Sequence, residues 1–92
     1  MQEFKLDVST FEEKISLHRY LKECMGFPFY YGANLDALYD ELSSITEPTH
    51  ITLYYSTRPK GKMLEYTPRL LKVFSDAASG NYNLRVTVRA VD

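Results

Sequence analysis

The chain opens on alternation. In EFKLDV, Phe4, Leu6 and Val8 fall on one side and Glu3, Lys5 and Asp7 on the other. That pattern predicts a strand with one wet face. The period then changes. Leu17, Tyr20, Leu21 and Cys24 recur at i, i+3, i+4 and i+7, the stripe of an amphipathic helix. Ser9 with Glu12, or Thr10 with Glu13, fits a capping box at its start. Gly26 suits its end, and Pro28 prevents its immediate resumption. Gly32 punctuates the loop that follows. Asn34 is an N-cap candidate for a second helix over about 34–44, whose core stripe is Leu35, Leu38 and Leu42.

EPT then reads as a turn, and HITLYY, apolar and β-branched, as the most buried strand. STRPKGK is a basic loop in which Pro59 and Gly61 oppose a regular helix. KMLEY fits a short helical turn. TPRLLKVFSDAASG predicts a helix capped by Thr67, with Pro68 at its first position and Gly80 as its stop. Leu70, Val73, Phe74 and Ala77 would face the core. NLRVTVRAV alternates again, with Leu84, Val86, Val88 and Ala90 set against Arg85, Thr87, Arg89 and Val91.

Strands separated by helical crossovers predict a parallel sheet. Two of the three strands alternate, so the helices should cover one sheet face only. The expected fold is a two-layer α/β domain, strand order 1-2-3, with the apolar second strand in the middle. The 92 residues suit one domain spanning 1–92. The apolar runs are too short to span a membrane. Glu3, Lys5 and Asp7 interrupt any leader pattern, so the expected compartment is the cytoplasm. Cys24, the sole cysteine, allows no internal disulfide and reads as a small buried hydrophobe.

Charge sharpens this picture. The net charge is only −1, which argues against a general nucleic-acid binder. Yet no lysine or arginine lies between Lys22 and Arg58, while Glu23, Asp36, Asp40, Glu41 and Glu47 do. That stretch carries −5 and the rest of the chain +4. On the second helix, Asp36, Tyr39, Asp40 and Ser43 share one face, with Tyr30 and Tyr31 just before it. A solvated face explains Asp36, which the helix dipole favours in the first turn. It explains Asp40 less well, since Asp40 lies at i+4 to a like charge. Exposed tyrosines beside paired acids also suit a partner-binding surface. The spacing leaves both readings open.

Catalysis and metal binding find less support. Asp36 and Asp40 lack a third ligand at clear spacing. His18 and His50 have no nucleophile or acid at recognisable spacing and read as structural. Arg58, Lys60 and Lys62, with Arg69 and Lys72, could touch phosphates but also fit a solvated surface balancing the acidic half.

The stretch FPFYYGANLDALYDEL resembles the signature of the barstar family, small intracellular inhibitors of guanyl-preferring ribonucleases. The core YYGxNLDALxD matches at Tyr30, Tyr31, Gly32, Asn34, Leu35, Asp36, Ala37, Leu38 and Asp40. ISLHRYLK, LLKVFSDA and LRVTVRAV are similar to the family's first helix, last long helix and final strand. The resemblance implies a three-stranded parallel sheet of order 1-2-3 packed on helices. It also implies that the second helix and preceding loop plug a ribonuclease active site in a 1:1 complex, with no catalysis and no cofactor or metal.

By that resemblance Asp40 enters the pocket for substrate phosphate and Asp36 faces basic residues of the enzyme. Tyr30 would pack on the catalytic histidine, and Gly32, Asn34, Leu35 and Tyr39 would line the same surface. Asp76 would add a salt bridge from the last long helix. Tyr39 and Ile45 stand where the family usually has tryptophan, and Ser79 and Gly80 leave no second acid on the last helix. The alternatives are an immunity or interaction module for a basic protein that is not a ribonuclease, and RNA binding through the Arg58–Lys72 patch.

Overall fold

The computed structural model describes residues 1–92. The elements run β1 (Gln2–Asp7), α1 (Lys14–Met25), α2 (Leu35–Ser43), β2 (Thr49–Tyr55), α3 (Met63–Gly80) and β3 (Leu84–Ala90). The strands pair in parallel in the order β1-β2-β3. The register aligns Phe4, Ile51 and Val86 in one row and Leu6, Leu53 and Val88 in the next. Parallel neighbours need crossovers, and the helices supply them.

Those rows face the helices. Leu17 and Leu21 of α1, Leu38 and Leu42 of α2, and Leu70 and Phe74 of α3 are fully buried with Leu6, Ile51 and Leu53. Each such side chain stabilises the fold by roughly 1.5–3 kcal/mol, and together they fix α2 against the sheet and α3. The other sheet face carries Lys5, Thr52, Arg85 and Thr87, with His50 between Glu3 Oε1 and Thr87 Oγ1, 2.9 Å from each. The architecture is thus the expected two-layer α/β fold. No helix is long and apolar enough to cross a membrane.

Several local expectations are corrected. α1 starts at Lys14 behind an extended Glu13, with no side-chain cap. Ser9 instead turns back to Asp7, whose carboxylate accepts from the Ser9 backbone N–H and hydroxyl. The carboxylate two residues away thus competes successfully for the predicted cap. Cys24 is exposed, because it sits at the edge of the α1 stripe rather than its centre.

α3 begins at Met63, so KMLEY and TPRLL belong to one helix with Pro68 inside it. Proline removes the bond to the Leu64 carbonyl, but Leu64 and Pro68 are both exposed, where water can take that carbonyl. Burial of Met63, Tyr66 and Thr67 carries the helix across the break, so Thr67 is a core position and not a cap. Gly80 does not stop the helix through a left-handed turn; it is the last helical residue, and extended Asn81 follows. Gly61 does need its glycine: its φ is +61°, and a Cβ there would come 3.0 Å from the Glu12 carbonyl.

Candidate partner-binding face

The loop before α2 is built from both ends. Gly26 closes α1 at φ 71°, and its N–H and that of Phe27 both donate to the Lys22 carbonyl. Tyr31 N–H then closes a turn onto the Pro28 carbonyl at 3.0 Å. This turn sends Tyr31 inward and its neighbours outward. Tyr31 packs on Phe27, ring centres 4.8 Å apart, while Phe29 and Tyr30 stand 88% and 73% exposed in an edge-to-face pair. Adjacent exposed aromatic rings are of the kind enriched at protein interfaces.

The inward anchor is a buried polar relay. His18, fully buried, is 2.7 Å from the Tyr31 hydroxyl through Nδ1 and 2.6 Å from the Tyr66 hydroxyl through Nε2. Burial lowers the pKa of His18 and raises those of both tyrosines, so all three are neutral near pH 7. A neutral imidazole has one donor and one acceptor nitrogen, so one tyrosine donates to it and the other accepts. Through this relay α1 and α3 both hold the loop. The structural reading of His18 thus holds, while its two tyrosine partners, Tyr31 and Tyr66, were not legible in the sequence.

Gly32 and Asn34 set the start of α2. A Cβ on Gly32 would approach that of Ala37 to 3.2 Å, so the glycine serves close approach to the helix. The left-handed residue is its neighbour Ala33, at φ 54°. That conformation costs an L-residue about 1–2 kcal/mol, and the surrounding anchors must hold it. Asn34 caps α2 as expected: its side-chain oxygen accepts from the Ala37 N–H at 2.7 Å.

The far end of α2 is held by a residue that sequence reasoning did not select. Asn81, just past α3, donates from Nδ2 to the carbonyls of Ile45 at 2.9 Å and Leu42 at 3.2 Å. An asparagine following the glycine of a helix end was the available clue.

Between these anchors Leu38 and Leu42 point inward, Leu35 is half-buried, and Asp36, Tyr39 and Asp40 face water. Neither the Asp36 nor the Asp40 carboxylate has an ion-pair or hydrogen-bond partner within the chain. Tyr39 is 41% exposed, and a Cβ on Gly80 would lie 4.0 Å from its hydroxyl, so the ring leans toward the end of α3. Asp76 is different: it accepts from Lys72 Nζ at 3.1 Å, one turn earlier on α3.

The charge segregation of the sequence is softened in space. Lys14 and Arg69 line a hollow of about 280 Å³ with Asn34 and Asp36, and both cations lie over the Tyr66 ring. At the other end of α2 a cleft of about 300 Å³ is lined by Glu41 and Glu47 and by no lysine or arginine. Cations therefore flank the start of α2, and acids alone supply the charge in the cleft at its other end. No group of three or more His, Cys, Asp or Glu residues is placed to hold a metal ion.

A small parallel sheet under helices, with an acidic and aromatic helix face fixed at both ends, defines the class of two-layer α/β proteins to which the chain belongs. A family model described as barstar (barnase inhibitor) matches residues 1–91. The chain belongs to the barstar family, a family of inhibitors rather than of enzymes. A search of curated proteins finds no match to the chain.

Proposed function

We propose that this protein is cytoplasmic and inhibits a basic, barnase-like endoribonuclease by occupying its active site in a 1:1 complex. Asp40 takes the place of a substrate phosphate, Asp36 meets further cations, and Tyr30 and Tyr39 supply the apolar packing. Gly32, Asn34 and Leu35 shape the surface, and Asp76 contributes at its edge. Inhibition by occlusion needs neither a catalytic group nor a cofactor.

The observation that carries this reading is the state of the two acids on α2. Asp36 and Asp40 are exposed and unpartnered on a helix fixed at both ends by Asn34 and Asn81. Acids without internal partners lose no ion pair when a partner's cations arrive, and a preorganised helix loses little entropy. Their field also steers a cationic partner toward this face before contact.

The test is inhibition of a purified barnase-type ribonuclease, with Asp40→Ala as control. Stoichiometric inhibition that Asp40→Ala weakens supports the reading. Tight capture of a basic protein without nuclease activity, together with no inhibition of the ribonuclease, would point instead to an immunity or interaction module of a different target.

A further inference from the structure

We propose that the outer edge of β3 is a second docking site, one that takes an extended, acidic segment of a partner protein as a fourth strand. The sheet order leaves β1 and β3 as edges, but the two are not equivalent. On β1 the outward N–H of Asp7 already donates to the Tyr20 hydroxyl at 2.9 Å. On β3 the ladder bonds run from Thr49 N–H to the Asn83 carbonyl and from Val91 N–H to the Tyr55 carbonyl. Alternation along a parallel strand then turns the N–H and C=O of Val86, Val88 and Ala90 toward the open edge. No side chain bonds to them.

Space for another strand lies alongside. A groove of about 460 Å³ runs between residues 84–88 and the flank of α3 formed by Ser75, Ala78 and Ser79. Val88, aligned with the fully buried Leu53, is itself 49% exposed because nothing covers it from that side.

Charge selects the occupant. Arg85 and Arg89 project from the opposite face of β3, both exposed and without an ion pair. A second copy paired antiparallel about Thr87 would set Arg85 against Arg89 at both ends, and like charges directly opposite are destabilising. A segment alternating apolar and acidic residues satisfies both faces. Its apolar side chains enter the groove beside Val86 and Val88, its carboxylates meet the arginines, and its backbone completes the edge. A nucleic-acid strand would answer the arginines but leave the aligned N–H and C=O groups unused.

The probe is a short, end-capped peptide alternating valine and glutamate, titrated into the isotopically labelled full chain and followed by amide NMR shifts. Saturable binding is expected, with shifts confined to β3 and residues 75–79, and with no binding of the valine–lysine counterpart. Arg85→Glu with Arg89→Glu should weaken binding about tenfold or more. Val88→Pro should abolish it while leaving the fold intact by circular dichroism, since that N–H does not bond to β2. Should Val88→Pro not fold, the arginine variant decides the matter alone. No saturable binding up to millimolar peptide would overturn the proposal. So would equal affinity for the lysine peptide, shifts on α2 instead, or concentration-dependent dimerisation through β3.

Discussion

Two helices carry exposed acids, and they treat them differently. On α2, Asp36 and Asp40 stand without a cation within ion-pair distance. On α3, Asp76 is held by Lys72 one turn away. The difference concerns what an incoming basic partner gains. An unpaired carboxylate offers its whole interaction. A paired one must share or surrender a bond it already has, and Lys72 also repels a cationic partner. Residue type alone therefore does not rank these acids; their existing partners do.

The strongest break in this contrast should come at Asp40. Asp40→Ala is expected to cost roughly 2–5 kcal/mol of affinity for a barnase-type ribonuclease, the general cost of truncating one partner of a buried, hydrogen-bonded charge pair at an interface. Isothermal titration calorimetry reads it directly. Next is the scaffold of α2. Asn34→Ala removes the cap on the Ala37 N–H and should lower stability by about 1 kcal/mol. Urea unfolding measures this, and Asn34→Asp, which keeps the acceptor, should recover it.

A weaker effect follows from pH. Burial holds the His18 pKa below its ordinary value of 6.5. As pH falls through 6.5 the unfolded chain takes up a proton that the fold resists, so stability is full above that value and declines below it. Denaturant midpoints compared at pH 7.5 and 5.5 should show the fall. Its His18 part should survive His50→Gln and vanish in His18→Gln. The acid limit has a second contributor. Bonds from Ser56 and Thr57 lower the Asp92 pKa to about 2, so its contribution is lost as pH falls from about 4 toward that value.

The smallest effects belong to α3. Asp76→Ala should weaken binding by less than about 1 kcal/mol. Lys72→Met, which frees Asp76, should strengthen it by about 0.3–0.5 kcal/mol, the value of an exposed pair one turn apart. Surface plasmon resonance on the two variants resolves the sign.

What could be read from the sequence follows from the range of the forces involved. The alternation of β1, the leucine stripe of α2 and the Asn34 cap are local patterns, and each appears where expected; on β3 the strand forms as expected, but Val88 and Ala90 are exposed because nothing covers that edge. The α2 face with Asp36, Tyr39 and Asp40 is equally local. The misread features depend on contacts distant in sequence or on a nearby competitor. Pro68 reads as a helix start until burial of Met63, Tyr66 and Thr67 extends the helix past it. Ser9 reads as a cap until Asp7 claims it. The approach of Lys14 and Arg69 to Asp36 and the hold of Asn81 on α2 join residues more than thirty positions apart or from separate elements, at spacings no helical or strand period encodes.

If the unpaired acids of α2 hold the partner more than the paired acid of α3 does, the two classes must differ in how fast the complex comes apart. The deciding quantity is the dissociation rate from a purified barnase-type ribonuclease, measured for the wild-type chain, Asp40→Ala and Asp76→Ala under one salt condition. Asp40→Ala should dissociate faster by roughly 30-fold or more, while Asp76→Ala stays within about fivefold of wild type. Equal rates for Asp40→Ala and wild type, or a larger effect at Asp76 than at Asp40, would contradict this ranking of the acids.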